Sequence, residues 1–337
     1  MKRQSSATGR ALLPLPPDSA ARTIGSPPPA AGPGPAAGLG WGLLGVAAFS
    51  LTVPLTRIAV EGLPPLFVGA GRAVVAALLA AVALAATRSP LPRGRQWVRL
   101  AVVAAGIVLG FPLLTSAALT TAPAGHSAVV IALLPAATAA VAAVRCGERP
   151  PGRFWAAVAA GAVATVAFAA AAGGGAADRG VADLLLLAAV AAGAVGYAEG
   201  GLLARELGAW RTVSWALVLA APVTVPLTAA AALPQPPSAT PGQWAAFAYL
   251  GMVSMFLGFF AWYRGLALGP MTRVSQVQLV QPVLTVAWAA LLLREPFDAT
   301  VVAGAVAVVL CAGAAVRSRR PAGSTVVTAS GHGPPAP

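Results

Sequence analysis

The chain has 337 residues, 58% of them hydrophobic and 9% charged. An ordinary soluble domain carries roughly 25% charged residues, so this deficit excludes a soluble globular fold, whose surface needs charge. The formal net charge of +13 does not mark a nucleic-acid binder, because the basic residues stand singly or in short groups between apolar runs, the pattern of membrane topology determinants.

Residues 1–38 open the chain with Pro27-Pro28-Pro29 and Pro33-Gly34-Pro35 and no continuous apolar core. They read as a disordered cytoplasmic tail rather than a signal peptide. Apolar runs then recur at approximately 40–56, 64–87, 98–120, 123–144, 154–172, 183–204, 212–233, 244–268, 271–293 and 300–316. A run of about 20 residues crosses a hydrocarbon core of roughly 30 Å as a helix. The apolar–polar alternation of a membrane barrel is absent. The expected fold class is an all-α polytopic membrane protein of ten helices. Residues 318–337 read as a second disordered tail.

One spacing occurs twice. Pro123, Pro135 and Glu148 repeat as Pro270, Pro282 and Glu295, with eleven and then twelve residues between them in both copies. The turns before Pro123 and Pro270 are short, so spans 3–4 and 8–9 are expected to form tight hairpins. Pro123 and Pro270 suit helix starts, where a missing N–H costs nothing. Pro135 and Pro282 lie mid-span, where each removes a backbone bond and acts as a hinge.

With both termini in the cytoplasm, 18 basic residues fall inside and three outside (Arg57, Arg179 and Arg294), leaving Arg72 within a span. Five spans, an odd number, separate the two copies, so the copies point in opposite directions. The expectation is two inverted five-helix repeats, residues 39–172 and 173–317, around a central cavity.

Trp41-Gly42, Pro64-Pro65 followed by Arg72, and the two Pro–Pro–Glu hairpins together resemble the EamA type of the drug/metabolite transporter superfamily, over about residues 40–316. The resemblance implies a basket-like bundle whose cavity is lined mainly by helices 1–4 and 6–9, with helices 5 and 10 peripheral. It implies transport of small metabolites by alternating access. It does not specify a substrate.

Arg72 sits about 12 Å below one end of span 2, at 1.5 Å per residue from Pro64. An arginine at that depth faces the bundle interior. Two readings stand, an anchor for a carboxylate-bearing substrate and a structural arginine satisfied by helix C-terminal carbonyls or a neighbouring polar group. Glu199 in span 6 is a proton-coupling candidate, or else a carboxylate pairing with Arg205 or water near the interface. Gln278, Gln281, Thr285 and Trp288 recur at intervals of three and four, placing them on one face of span 9. Their counterparts in span 4 are Ile131, Leu134, Thr138 and Val141. The stripe is read either as substrate-binding cavity lining or as interhelical glue.

His126 and Arg273 each follow a hairpin proline by three residues and read as interface groups. Cys146 and Cys311 make neither a disulfide framework nor a metal site. Neither a clustered catalytic constellation nor a phosphate-binding glycine loop is present, so no enzyme activity, metal or cofactor is expected. The expected partners are membrane lipids and a small-molecule substrate, not nucleic acid, with homo-oligomerisation left open. The reading is a secondary transporter of the cytoplasmic membrane that exports small metabolites, amino-acid-like compounds or drugs. Its alternative is a non-transporting structural or receptor-like membrane protein.

Overall fold

A computed structural model describes residues 35–145, 147, 151–172, 177–234, 236–268, 277–295 and 299–318. Cys146, Glu148, Pro270 and Arg273 lie outside the described residues, as do residues 1–34 and 319–337.

Among the described residues every regular element is helical. In chain order they are α1 (Gly38–Val60), α2 (Pro65–Ala86), α3 (Arg95–Ala118), α4 (Ala124–Arg145), α5 (Gly152–Ala172), α6 (Ala177–Leu207), α7 (Ala209–Ala232), α8 (Pro241–Gly265), α9 (Gln278–Leu293) and α10 (Ala299–Ser318). Seven of these, α1–α4 and α6–α8, are long and apolar enough to cross a membrane. The segments Gln278–Leu293 and Ala299–Cys311 are shorter apolar helices. The chain is therefore a polytopic helical membrane protein.

The helices pair across the chain in a regular way. α2 runs along α7 and α5 along α10, α1 packs on α8 and α3 on α6, and α4 lies mainly against α6 with further contacts to α9 and α10. Small residues permit the closest approaches. A Cβ on Gly106 of α3 would lie 2.5 Å from the Ala192 carbonyl, and one on Gly196 of α6 would lie 2.7 Å from Ile107. In α8, a Cβ on Gly265 would stand 2.6 Å from the Gly42 nitrogen of α1. Close backbone approach of this kind substitutes dispersion for the hydrophobic effect, which lipid cannot supply.

Four helices are irregular partway along, and a fifth, α9, is irregular where its described part begins. α1 is interrupted at Leu51 and α4 at Ala132–Leu133. α3 is π-helical over Ala104–Gly110, α8 is π-helical over Leu250–Leu257, and α9 opens with a 3-10 turn at Gln278–Val280. Proline explains four of the five, because it withholds an N–H and clashes with the carbonyl four residues earlier. Pro54, Pro112, Pro135 and Pro282 follow the respective irregularities within three residues. Pro135 and Pro282 each stand second in the α-helix that follows the irregular turn.

The π segments share the register of the hairpin duplication. Gly110 and Leu257 end them, each thirteen residues before its hairpin proline, Pro123 or Pro270.

Candidate functional site

The irregular backbone surrounds a central cavity of about 40 Å³. Phe49 and Thr52 flank the break in α1, Ile107 and Phe111 come from the α3 π segment and its edge, and Ile131 and Leu134 straddle the break in α4. Ser254 and Met255 project from the α8 π segment, and Gln281 from the start of α9. The continuous helices α2 and α6 contribute Arg72 and Tyr197. A smaller void of about 20 Å³ adjoins it, sharing Val53, Ile131, Leu134 and Gln281 and adding Gln278, Pro282 and Thr285. Non-helical backbone at membrane depth is tolerated where it is buried in protein or lines a cavity, which is the arrangement here.

Arg72 is the charged group of this cavity. It is 2% exposed, and its closest partner is the Thr56 hydroxyl, to which Nη1 donates at 3.5 Å. Nε has no hydrogen-bond partner. Thr56 in turn donates to the Thr52 carbonyl at 2.7 Å, and the Thr52 and Ser254 hydroxyls share a hydrogen bond of 2.7 Å. Among the described residues no carboxylate pairs with Arg72. Removing an ion from water costs several kcal/mol even after relaxation, and an anion brought to the guanidinium offsets that cost. The walls are aromatic: Phe49 packs edge-on against Phe259 at 4.9 Å, and Tyr197 stacks on Phe259 at 5.7 Å.

The polar stripe of α9 divides between two tasks. Gln278 and Gln281 line the cavities, and the Gln281 side-chain oxygen has no partner. Thr285 and Trp288 tie α9 to α1. Pro54 leaves the Ser50 carbonyl without its helical donor, and the Thr285 hydroxyl fills that position at 2.9 Å. Trp288 Nε1 donates to Ser50 Oγ at 3.1 Å. Thr285 also borders the smaller void.

Glu199 does not reach the central cavity. Its carboxylate accepts from Arg99 Nε of α3 and from Arg145 Nε of α4, the latter at 2.9 Å, and Arg99 also binds Glu206. This three-helix clamp sits at the end of the bundle where α4 and α6 finish. The sequence offered Glu199 either proton coupling or a pairing with Arg205 or water; its carboxylate bridges two arginines from the first half.

Glu295, at the other end, receives the Ala124 and Gly125 amides at 2.8 Å each, one on either carboxylate oxygen. It thereby caps the N-terminus of α4, where orphan N–H groups and the helix dipole favour an anion. Sequence reasoning noticed this glutamate only as part of a repeat. His126 Nε2 lies 2.6 Å from Asp183, joining α4 to α6 at the same end. Arg57 donates to the Leu119 and Thr120 carbonyls at 2.7 and 2.9 Å, closing the C-terminus of α3.

A helical bundle with a small, polar-spotted cavity ringed by broken helices is the architecture of a membrane transporter. The comparisons agree with that class. The EamA-like transporter family matches twice, at residues 36–170 and 180–316, and the chain belongs to this family. It is 41% identical over 288 residues to the "Uncharacterized transporter YdeK" of Bacillus subtilis (strain 168), an alignment covering 82% of this chain and 97% of that protein. It is 30% identical over 294 residues to the "Probable terminal-alkyne amino-acid exporter" of Streptantibioticus cattleyicolor, covering 84% and 94%. A solved crystal structure 22% identical in sequence superposes with a TM-score of 0.58, over 82% of this chain and 98% of that chain, and shares the fold.

Proposed function

We propose that the chain is a secondary transporter that exports small, carboxylate-bearing metabolites of amino-acid-like size by alternating access. The observation that carries this reading is the buried, unpaired Arg72 in an aromatic-walled cavity. Its guanidinium offers a carboxylate the bidentate fork that a lysine lacks. Gln281, with a free side-chain oxygen on the same cavity, would accept from an amine or amide of the cargo. Phe49, Tyr197 and Phe259 would pack on an apolar body. The relative named as an amino-acid exporter supports the same cargo chemistry.

A volume of about 40 Å³ holds only a few waters, whereas ligand pockets occupy roughly 300–1,000 Å³. The cargo would enter only after helices move apart, as alternating access requires. The mechanical units in this reading are inverted repeats of helices 1–5 and 6–10, with both termini cytoplasmic and the Glu199 clamp at the cytoplasmic end. The exchanged helix pairing and the twofold recurrence of the π segments support the repeat.

Vesicle transport of a panel of apolar amino acids under an imposed proton gradient tests the proposal. Arg72→Lys is expected to lower transport about tenfold or more and Arg72→Ala to abolish it, with both proteins inserted normally. Wild-type transport by Arg72→Ala would remove the anchor. A role for Glu199 in proton coupling requires that Glu199→Gln flatten the pH dependence of transport; a profile unchanged from wild type leaves it as a clamp alone.

A further inference from the structure

A second concave site lies beside the Glu199 clamp, away from the proposed cargo cavity. It encloses about 270 Å³ between α3, α4 and α6. Its rim carries Arg95, Arg99 and Arg145, and its floor is apolar, built mainly of Val98, Val102 and Val195.

Three features describe what this site accepts. First, its charge is positive. Three arginines face two carboxylates, Glu199 and Glu206, and Arg95 makes no ion pair among the described residues. Among the described residues Arg145 meets Glu199 through Nε, and its two terminal nitrogens face no other carboxylate. Second, the apolar floor opens outward: Val98 is 68% exposed and Val195 42%, on helices whose outer faces meet lipid. Third, its height is that of a membrane interface, because Arg95 begins α3 and Arg145 ends α4. Donors at the interface above an apolar, outward-facing channel complement a phosphate with a hydrocarbon chain attached. A free metabolite anion would gain nothing from the valine floor.

We infer that this groove binds an anionic phospholipid, its headgroup phosphate held by Arg95 and Arg145 and an acyl chain laid along Val98, Val102 and Val195. Basic pockets between membrane helices are a recurring form of lipid headgroup recognition. The site is independent of the cargo cavity and of transport direction, so failure of the Arg72 experiments would leave it intact. Since Arg99 and Arg145 also hold Glu199, a bound headgroup would sit against the clamp that joins α3 and α4 to α6.

The test uses the full chain in nanodiscs containing equal fractions of phosphatidylglycerol and phosphatidylcholine, with retained lipid counted by native mass spectrometry after release into detergent. Wild type is expected to retain phosphatidylglycerol in preference to phosphatidylcholine. Arg95→Gln, which breaks no ion pair, should lower that preference about fivefold, the share of one basic residue in headgroup attraction. Val98→Asp should lower it further by charging the acyl floor. Arg317→Gln, at the end of α10, should leave it unchanged. Equal retention of the two lipids would overturn the inference. So would an equal loss in Arg317→Gln, which would indicate diffuse attraction, or displacement of phosphatidylglycerol by millimolar inorganic phosphate, which would indicate a small-anion site.

Discussion

Ser50 shows how one missing hydrogen becomes a tertiary contact. Pro54 cannot donate to the Ser50 carbonyl, and Thr285 of α9 donates instead, across 235 positions of sequence. A buried acceptor left without its donor costs about 1–3 kcal/mol. Thr285→Val, which keeps the shape and removes the donor, is therefore expected to destabilise the protein by that amount, read as a lower melting temperature in detergent. Thr285→Ser should retain most of the stability. An unchanged melting temperature in Thr285→Val would mean that another group reaches Ser50. At this scale the sequence was partly legible. Arg72 and the glutamines stood out because polar groups are rare within apolar runs. The clamp did not, because Arg99 and Arg145 read as loop charges and their partner Glu199 is 100 and 54 residues distant. Sign of charge was the signal available, and sign alone does not choose between Arg205, Arg99 and Arg145.

At the level of elements, helix contacts are set by what fits between backbones. Gly196 of α6 lies so near Ile107 that a Cβ would overlap it at 2.7 Å, and the Ile107 backbone nitrogen is only 2.9 Å away. Backbone cannot rotate aside as a side chain can, so added bulk must push α3 and α6 apart. Overpacking costs typically 1–3 kcal/mol. Gly196→Leu should lower the melting temperature, while Gly201→Leu, on another face of the same helix with nothing within 4 Å, should be tolerated. Equal tolerance of both would refute the close contact. Gly106 and Gly196 do not stand out in a sequence that holds 37 glycines. Proline was a better guide, marking the breaks in α1 and α4, the irregular start of α9 and the edge of the α3 π segment. It was an imperfect one: α7 runs as one helix through Pro222 and Pro226, and the α8 π segment contains no proline. A π segment has the composition of the helix around it, so only the register of the duplication points to it.

For the whole molecule, the division of charge remains the strongest argument about orientation. If both termini are cytoplasmic, single cysteines placed in the 87–94 connection should react only with permeant thiol reagents in intact cells. Those in the 236–240 connection should react with impermeant ones too. Labelling of both from the same side would refute the orientation. The all-helical class was legible from composition, and the duplicated organisation from three residues at a repeated spacing. The closure of the central cavity was not legible, because it depends on how far the helices have drawn together rather than on which residues line them.

The clustering of irregular backbone around one cavity has a mechanical consequence. A continuous rod that tilts to open one mouth of a channel must swing its other end the opposite way. Four helices here (α1, α3, α4 and α8) change their backbone geometry partway along, where the proposed cargo would lie, and α9 begins there with a 3-10 turn, so bending has a preferred place in each. The arms on one side of such a bend can spread while those on the other stay packed, and the bending is confined to the place where an occupant could resist or release it. In the proposed transport cycle, that placement would let one door stay shut while the other opens, with the passenger at the bend.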